Sequence, residues 1–327
     1  MFVLITGAAG FIGSHVSHAL LDQGARVLGL DSLNDYYDPS LKTARLARLE
    51  ARDGFTFAKL NLADRDAVFQ LVAENPEVTH VLHLAAQAGV RYSLVDPFAY
   101  VDANVMGQLV VMEACRRLPR LTHLVYASSS SVYGANEKQP FSEADRVDQP
   151  VSIYAATKRA GELLAHAYSG LHGLPAVGLR FFTVYGPWGR PDMAYYGFTE
   201  KILAGQPIEL FNRGEMRRDF TYIDDIVQGV LACLTRVPDS SDGKAGHKIY
   251  NLGNNQPETL KQFVALLEKH CGRTAEKTLL PMQPGDVPET YADIALAQRD
   301  LAFQPKTSLD EGLGRFMEWY KRYHHKN

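Results

Sequence analysis

The sequence has few cysteines, no long apolar run and almost no net charge. Its three cysteines, Cys115, Cys233 and Cys271, are too far apart to form a disulfide framework or a zinc-binding pattern, which favours a reducing compartment. A formal charge of −3 gives no electrostatic basis for binding nucleic acid or an anionic membrane. No run of about 18 apolar residues predicts a membrane span. Residues 2–5 enter a strand-like run without a basic leader, so we expect a cytoplasmic protein with no signal peptide.

What is present is a long, ordinary globular composition, with 327 residues of which 46% are hydrophobic and 22% charged. Short apolar runs alternate with helical patterns, and this alternation predicts an α/β fold with a Rossmann-like, doubly wound parallel sheet. The predicted strands are 2–6, 26–30, 55–59, 80–84 and 123–127, and the predicted helices are 12–21, 42–51, 67–74, 99–117 and 154–170.

The amino-acid composition of the chain changes after about residue 185, where glycine, proline and aromatic residues become frequent. We therefore predict a Rossmann domain at residues 1–185 and a smaller, mixed α/β substrate domain at residues 186–327. Later segments, at about 215–235, are expected to return to the first domain.

A glycine-rich loop follows the first predicted strand and opens the first predicted helix. Its sequence is TGAAGFIG at residues 6–13, with glycines at positions 7, 10 and 13. Glycines allow a tight turn here and let backbone N–H groups approach a pyrophosphate, which a helix N-terminus stabilises. The alternative is that Gly7, Gly10 and Gly13 are plain turn glycines, but the strand–loop–helix context favours a dinucleotide site.

Asp31 closes the second predicted strand, 18 residues after Gly13. A carboxylate at this place can accept hydrogen bonds from both hydroxyls of an adenosine ribose, and it repels a 2′-phosphate. The alternative is an ordinary turn aspartate. Together with the glycine loop, Asp31 predicts NAD rather than NADP.

Tyr154 and Lys158 lie four residues apart on a predicted helix, which puts them on one face. A phenol has a pKa of about 10, and neighbouring positive charge lowers it by favouring the phenolate. The phenol of such a pair can exchange a proton with a substrate hydroxyl group while a hydride leaves the carbon atom that carries this hydroxyl. Alone the pattern is common, and a surface pair is the ordinary alternative.

Hydroxyl side chains gather at the end of the fifth predicted strand, in the segment YASSSSVYG at residues 126–134. Open α/β sheets bind ligands at the carboxyl ends of their strands. A serine there, such as Ser129, can share a hydrogen bond with a reacting oxygen. The alternative is a serine-rich turn.

Together these features resemble the extended short-chain dehydrogenase/reductase family. Within it, the chain is similar to the UDP-glucuronate 4-epimerases over nearly its whole length. The segments that carry this similarity are AAQAGVRYS (85–93), SSSSVYG (128–134), RFFTVYGPWGRPDM (180–193) and RDFTYIDD (218–225). The resemblance implies an NAD-dependent isomerase that acts on a UDP-sugar, and a homodimer formed through the helices at 99–117 and 154–170.

The resemblance also implies roles for individual residues. Tyr154 is the catalytic base, Lys158 lowers its pKa and binds the nicotinamide ribose, and Ser129 supports the 4-hydroxyl. Ser130, Ser131 and Thr183 face the sugar carboxylate, and Arg91 and Arg190 are the cations near it. Arg218 binds the diphosphate. The positions assigned to NAD are Gly7, Gly10, Phe11, Ile12, Gly13, Asp31, Asn61, Leu62, Leu84, Ala85, Ala86, Asn104, Tyr154 and Lys158.

The chain departs from the wider family in places that bear on the reaction. Asn61 stands where many relatives carry an aspartate toward the adenine, and residues 283–286 lack an arginine found in other sugar epimerases, so diphosphate contacts there stay open. Dehydratases need a carboxyl group just after the serine, and decarboxylases usually carry a glutamate at the position of Ser131. The sequence therefore disfavours a dehydratase and a decarboxylase, whereas a UDP-glucose/UDP-galactose 4-epimerase remains an open alternative.

Two other classes of function are disfavoured. A dinucleotide-binding scaffold without chemistry would have lost Tyr154, Lys158 or Ser129, and all three are present. The histidine pairs at 15 and 18 and at 80 and 83 have no third ligand nearby, so we expect no metal site.

Overall fold

The computed structural model describes residues 1–239, 246–282 and 287–324. Residues 283–286, where the diphosphate contacts were left open, lie outside the described residues. The strands are β1 (Phe2–Thr6), β2 (Arg26–Asp31), β3 (Phe55–Lys59), β4 (His80–His83), β5 (His123–Ser129), β6 (Ala176–Phe181), β7 (Thr183–Tyr185), β8 (Ile208–Leu210), β9 (Arg217–Tyr222), β10 (His247–Leu252), β11 (Pro257–Thr259), β12 (Lys277–Leu279) and β13 (Glu289–Thr290).

The helices connect these strands. They are α1 (Phe11–Asp22), α2 (Pro39–Glu50), α3 (Arg65–Glu74), α4 (Pro97–Tyr100), α5 (Gly107–Cys115), α6 (Ile153–His172), α7 (Ala194–Ala204), α8 (Ile223–Leu234), α9 (Leu260–Cys271), α10 (Ala295–Leu301) and α11 (Leu309–Tyr323). Among the described residues, no helix is long and apolar enough to cross a membrane.

Seven parallel strands form the large sheet, in the order β10-β6-β5-β4-β1-β2-β3. Successive residues of β1 pack into two different apolar clusters, with Val3 and Ile5 in one and Phe2 and Leu4 in the other. The sheet is therefore buried on both faces, as expected for a doubly wound fold. The strand order reverses between β1 and β4, and this is where such sheets bind ligands. The predicted α/β fold class is confirmed.

The predicted long helix at 99–117 is divided in the structure. A π-helical turn at Val101–Met106 separates α4 from α5. The π-turn carries Asn104, whose buried side chain hydrogen-bonds to the loop after β4. Such turns occur frequently at functional sites.

A smaller sheet of β7, β9, β11 and β13 and a β8–β12 pair lie outside the large sheet. Two later segments return to the first part of the chain. Helix α8 packs against α1, and β10 pairs with β6 at the edge of the large sheet. The sequence predicted such a return at about 215–235. Helix α8 lies within that range, whereas β10 lies beyond it. The domain boundary between residues 185 and 186 stays a prediction.

Candidate active site

A cavity of about 550 Å³ lies at the carboxyl ends of the central strands. It is bounded by the loop between β1 and α1, by the ends of β2, β4 and β5, and by α6 and the segment 181–193. Every position that the sequence assigned to NAD lines this cavity, except Asn104: Gly7, Gly10, Phe11, Ile12, Gly13, Asp31, Asn61, Leu62, Leu84, Ala85, Ala86, Tyr154 and Lys158.

The glycine loop forms a cradle that side chains would fill. Gly7 has a φ of 74°, and a Cβ atom there would lie 2.8 Å from the backbone nitrogen of Ala85. A Cβ at Gly13 would overlap the carbonyl oxygen of Gly7. Helix α1 begins just after Gly10 without a side-chain cap, so its first-turn N–H groups are available to an anion. These residues fit the pyrophosphate of a dinucleotide.

Asp31 is held at the end of β2 by backbone donors. Its carboxylate oxygens accept hydrogen bonds from the N–H groups of Ala9 at 3.1 Å and Leu33 at 2.9 Å. A carboxylate has further lone pairs, which leaves acceptors for ribose hydroxyls. Asp31 therefore fits the ribose side of a bound NAD.

Lys42 also lines this part of the cavity, and the sequence analysis missed it. Its Nζ donates a hydrogen bond to the backbone oxygen of Asn34 at 2.6 Å and another to the Asn34 side chain. Burial lowers the pKa of Lys42, and the nearby charge of Asp31 opposes that effect. The feature of the sequence that could have indicated Lys42 is a lysine on the apolar face of the helix that follows Asp31, the predicted ribose ligand.

Three residues that the sequence selected for chemistry meet in this cavity. Ser129 is the last residue of β5, and it lines the same cavity as Tyr154, which lies near the start of α6. Burial raises the pKa of Tyr154, whereas the Ser129 hydroxyl and the Arg190 charge oppose that rise. Arg190 lines the same cavity and is therefore a cation that favours the Tyr154 phenolate. The lowering by Lys158 that the sequence suggested stays a prediction.

Lys158 lies one turn after Tyr154 and is 5% exposed. Burial lowers its pKa to about 8, and the carboxylate of Glu162, one further turn along α6, opposes this shift. Glu162 also accepts a hydrogen bond from the hydroxyl of Ser128 at 2.7 Å. The helix that carries Tyr154 and Lys158 is thereby tied to the strand end that carries Ser129.

Asn104 does not line the cavity but supports its wall. Its side chain accepts a hydrogen bond from the backbone N–H of Gln87 at 2.8 Å and donates to the Gln87 carbonyl at 3.0 Å. It also donates to the hydroxyl of Thr157 at 3.1 Å. Asn104 thus fixes the loop after β4 against α6.

A second cavity of about 240 Å³ adjoins the first, since Met193 lines both. Arg91, Thr183 and Arg218 line this second cavity, and the Arg91 guanidinium stacks 4.3 Å from the ring centre of Phe211. The two cavities together therefore bring the predicted cofactor positions other than Asn104 and five of the seven predicted substrate positions into one cleft, the latter being Arg91, Ser129, Thr183, Arg190 and Arg218.

The two remaining substrate candidates do not line the cleft. Ser130 and Ser131 line neither cavity and are half-buried, and the Ser131 hydroxyl accepts a hydrogen bond from Ser129 at 3.2 Å. No group of three or more His, Cys, Asp and Glu side chains in the described ranges could hold a metal ion.

Comparison with known proteins decides the family. The profile of the NAD dependent epimerase/dehydratase family matches residues 3–253 of this chain. The chain belongs to this family. UDP-glucuronate 4-epimerase 4 of Arabidopsis thaliana is 50% identical, over 98% of this chain and 76% of its own.

Solved structures of this family share the fold over nearly the full length. UDP-glucuronic acid 4-epimerase of Bacillus cereus, in complex with UDP-glucuronic acid and NAD, has a TM-score of 0.91 at 36% identity and covers 99% of this chain and 100% of its own. UDP-glucose 4-epimerase of Thermotoga maritima, with UDP-glucose, has a TM-score of 0.88 at 28% identity, with 99% and 100% covered. The predictions of the family, of an isomerase and of NAD as the cofactor are confirmed.

Proposed function

We propose that this NAD-dependent epimerase interconverts UDP-glucuronate and UDP-galacturonate. The observation that carries the proposal is that Tyr154, Ser129 and Lys158 line one cavity together with the glycine cradle. The 50% identity to a plant UDP-glucuronate 4-epimerase supports the choice of sugar.

In this proposal Tyr154 takes the proton of the sugar 4-hydroxyl and later returns it. Ser129 hydrogen-bonds to the reacting oxygen, and Lys158 binds the nicotinamide ribose. NAD held at the glycine cradle and Asp31 would supply the acceptor for the C4 hydride of the sugar and the source from which that hydride returns to the opposite face. Burial raises the pKa of Tyr154 overall, and the neighbouring Ser129 hydroxyl and the Arg190 charge limit that rise, so these two residues act against the effect of burial and toward the phenolate that the first step needs.

A uronic acid oxidised at C4 is a β-keto acid, which loses CO₂ when its carboxylate aligns with the ketone. We assign Ser130, Ser131 and Thr183 to hold the carboxylate out of that alignment, with Arg91 and Arg190 as the nearby cations. Arg218 is assigned to the diphosphate. The support for a hydroxyl-lined rather than an acidic site is the run of four serines at 128–131, which contains no carboxyl group.

A UDP-glucose/UDP-galactose 4-epimerase is the second candidate. It is favoured by the Thermotoga maritima UDP-glucose 4-epimerase, whose fold matches with a TM-score of 0.88. Its identity of 28% is lower than the 36% of the Bacillus cereus UDP-glucuronic acid 4-epimerase. A UDP-glucuronate decarboxylase is a weaker candidate because Ser131 stands where a glutamate would be expected.

We also propose a cytoplasmic homodimer. Large apolar side chains are exposed along α4, the π-turn and α6, including Phe98 and Leu163, which are 79% and 54% exposed. A second copy of the same surface would cover them. Light scattering is expected to give twice the chain mass, and a variant that combines Phe98→Glu with Leu163→Glu is expected to be monomeric.

The substrate is tested by NMR of the products after purified protein is incubated with UDP-glucuronate and no added NAD. The proposal predicts UDP-galacturonate without release of CO₂, because the cofactor is retained and regenerated in each cycle. UDP-xylose or a 4-keto pentose would instead indicate a decarboxylase. Turnover of UDP-glucose with no reaction of the acid would indicate the neutral-sugar epimerase.

A further inference from the structure

The segment that carries Arg190 is held from one side by the helix after β2. Arg45 of α2 is fully buried, and its guanidinium donates hydrogen bonds to the backbone oxygens of Trp188 at 2.6 and 2.9 Å and of Gly189 at 3.0 Å. It also donates to the backbone oxygen of Ala9 in the glycine loop at 3.2 Å. The backbone just before Arg190 is therefore fixed to the cofactor cradle independently of any contact that the Arg190 side chain makes.

The Arg190 side chain has a separate support. Its guanidinium binds the carboxylate of Asp192 at two points, with Nε to Oδ1 at 3.0 Å and Nη2 to Oδ2 at 2.5 Å. The Tyr36 hydroxyl donates a hydrogen bond to the same Asp192 carboxylate at 3.2 Å. Tyr36 comes from the loop after β2, so this chain of contacts joins two segments 156 residues apart.

Tyr36 is itself fixed in place. Its hydroxyl lies so close to Gly89 that a side chain there would overlap it, and its ring packs against Tyr92 with centroids 5.1 Å apart. Burial and the Asp192 charge both raise the pKa of Tyr36, so the hydroxyl stays protonated and can donate. Tyr36 therefore holds the Asp192 carboxylate from a rigid position.

Asp192 does not line the cavity, whereas Arg190, Tyr36 and Tyr154 all do. Although burial raises the pKa of Asp192, the Arg190 charge and hydrogen bonds to Arg190 and Tyr36 keep it below its usual range. Asp192 thus stays a carboxylate and acts on the reaction only through its neighbours.

The charged and titratable groups around Tyr154 come from several elements. Arg190 and Asp192 approach from the segment 186–193 and have opposite effects on the pKa of Tyr154. Tyr100 of α4 packs edge-on against Tyr154 with centroids 6.0 Å apart, Ser129 lines the same cavity as Tyr154, and Lys158 follows one turn later on α6. Arg190 lines the same cavity as Tyr154 and is a cation that favours the phenolate, and the Asp192 carboxylate bound to Arg190 partly offsets this effect.

We infer that Asp192, held by the Tyr36 hydroxyl, is a positioning residue for Arg190, and that it sets both the place and the effective charge of the cation beside Tyr154. The inference rests on the proposed role of Tyr154 as the base. Tyr154 can act as the base only in its phenolate form, so kcat falls as the pH drops through the pKa of Tyr154. This low-pH side of the kcat profile is its acid limb. Asp192 and Arg190 must then move that limb in opposite directions.

The test compares pH profiles of kcat for the holoenzyme and its variants with the substrate that the wild-type protein turns over. Asp192→Asn removes the negative charge, so the acid limb is expected to move to lower pH, while kcat falls about 10- to 100-fold because Arg190 loses its anchor. Arg190→Gln is expected to move the limb to higher pH. Tyr36→Phe keeps both charges and is expected to lower kcat while the limb stays in place.

Asp35→Asn is the matched control, since it removes an exposed negative charge from the loop that carries Tyr36, and Asp35 is not among the charges that act on the pKa of Tyr154. It is expected to keep the wild-type profile. Thermal unfolding of each variant, expected to stay at the wild-type midpoint, separates these effects from loss of folding. If Asp192→Asn and Arg190→Gln move the limb in the same direction, or neither moves it, the inference is wrong. A wild-type protein inactive on every UDP-sugar would instead overturn the proposed function.

Discussion

The Glu162 carboxylate and the Arg180 guanidinium form a two-point ion pair in the protein interior. Arg180 Nε lies 2.8 Å from Glu162 Oε1, and Nη2 lies 2.9 Å from Oε2, with both side chains at most 2% exposed. The pair joins α6 to β6, and the Ser128 hydroxyl binds the same carboxylate. Since α6 carries Tyr154 and Lys158 and Ser128 precedes Ser129, this pair holds the two halves of the proposed catalytic site together.

Breaking that pair is expected to destabilise the fold strongly. Glu162→Ala leaves the Arg180 charge buried without its carboxylate, which costs about 3–5 kcal/mol of unfolding free energy. Urea denaturation measures the loss. Glu311→Ala is the control, because it removes an exposed i,i+4 pair with Arg315 and is expected to cost at most about 0.5 kcal/mol. Equal losses in the two variants would show that the buried pair has no special role.

Removing the phenol oxygen is expected to stop the reaction without releasing the cofactor. Tyr154→Phe keeps the ring that packs against Tyr100 and deletes only the proton-transfer group. A fall in kcat of at least about 10²- to 10⁴-fold is expected from the loss of general acid–base catalysis. The measurements are kcat and the amount of NAD released from the denatured protein. Near-normal turnover in this variant would remove Tyr154 from the role of base.

The glycine cradle gives a prediction about cofactor retention. In Gly13→Ala the new methyl group would overlap the Gly7 carbonyl oxygen, so the loop must move away from the position that fits a pyrophosphate. The variant is expected to purify with little or no NAD. Gly197→Ala is the matched control, because its Cβ would meet nothing closer than 4.0 Å. Full NAD content in Gly13→Ala would contradict the cradle as the cofactor site.

Four buried or half-buried histidines predict a loss of stability in mild acid. Burial lowers the pKa of His83 to about 3 and of His15, His123 and His247 to about 4, from an ordinary 6.5. The unfolded chain therefore binds protons that the folded chain excludes, so their contribution is fully present above pH 6.5 and falls progressively toward pH 4.

Each such group contributes at most about 1.4 kcal/mol per pH unit. Urea denaturation at pH 7, 6 and 5 measures the slope. His15→Gln, which can still donate to the Phe11 carbonyl, is expected to reduce the slope between pH 6 and 5 and to leave stability at pH 7 nearly unchanged. A slope that is the same in this variant would contradict the assignment.

The sequence predicted the parts of the site that depend on local pattern. The glycine loop, Asp31 at the end of β2 and the Tyr154–Lys158 spacing each lie within a strand–loop–helix unit or one helical turn, so periodicity and turn chemistry were enough to place them. Ser129 was found for the same reason, since it ends a strand.

The rest depends on contacts between distant segments, which one sequence does not encode in a visible spacing. Tyr36 meets Asp192 across 156 residues, and Arg45 reaches Trp188 across 143. Lys42 was missed because only the placement of α2 turns it into the cavity. The π-turn that divides the predicted helix at 99–117 carries Asn104, whose hydrogen bonds reach Gln87 and Thr157 in other segments of the chain.

The most direct test of the account is the fate of the hydrogen at C4 during turnover. UDP-glucuronate deuterated at C4 is incubated with the purified protein in ordinary water, with no NAD added, and the UDP-galacturonate formed is analysed by NMR and mass spectrometry. Deuterium is expected to stay at C4, because the hydride removed from one face is returned to the same carbon. Loss of the deuterium to solvent, or a product that has lost its carboxylate, would contradict the proposed mechanism.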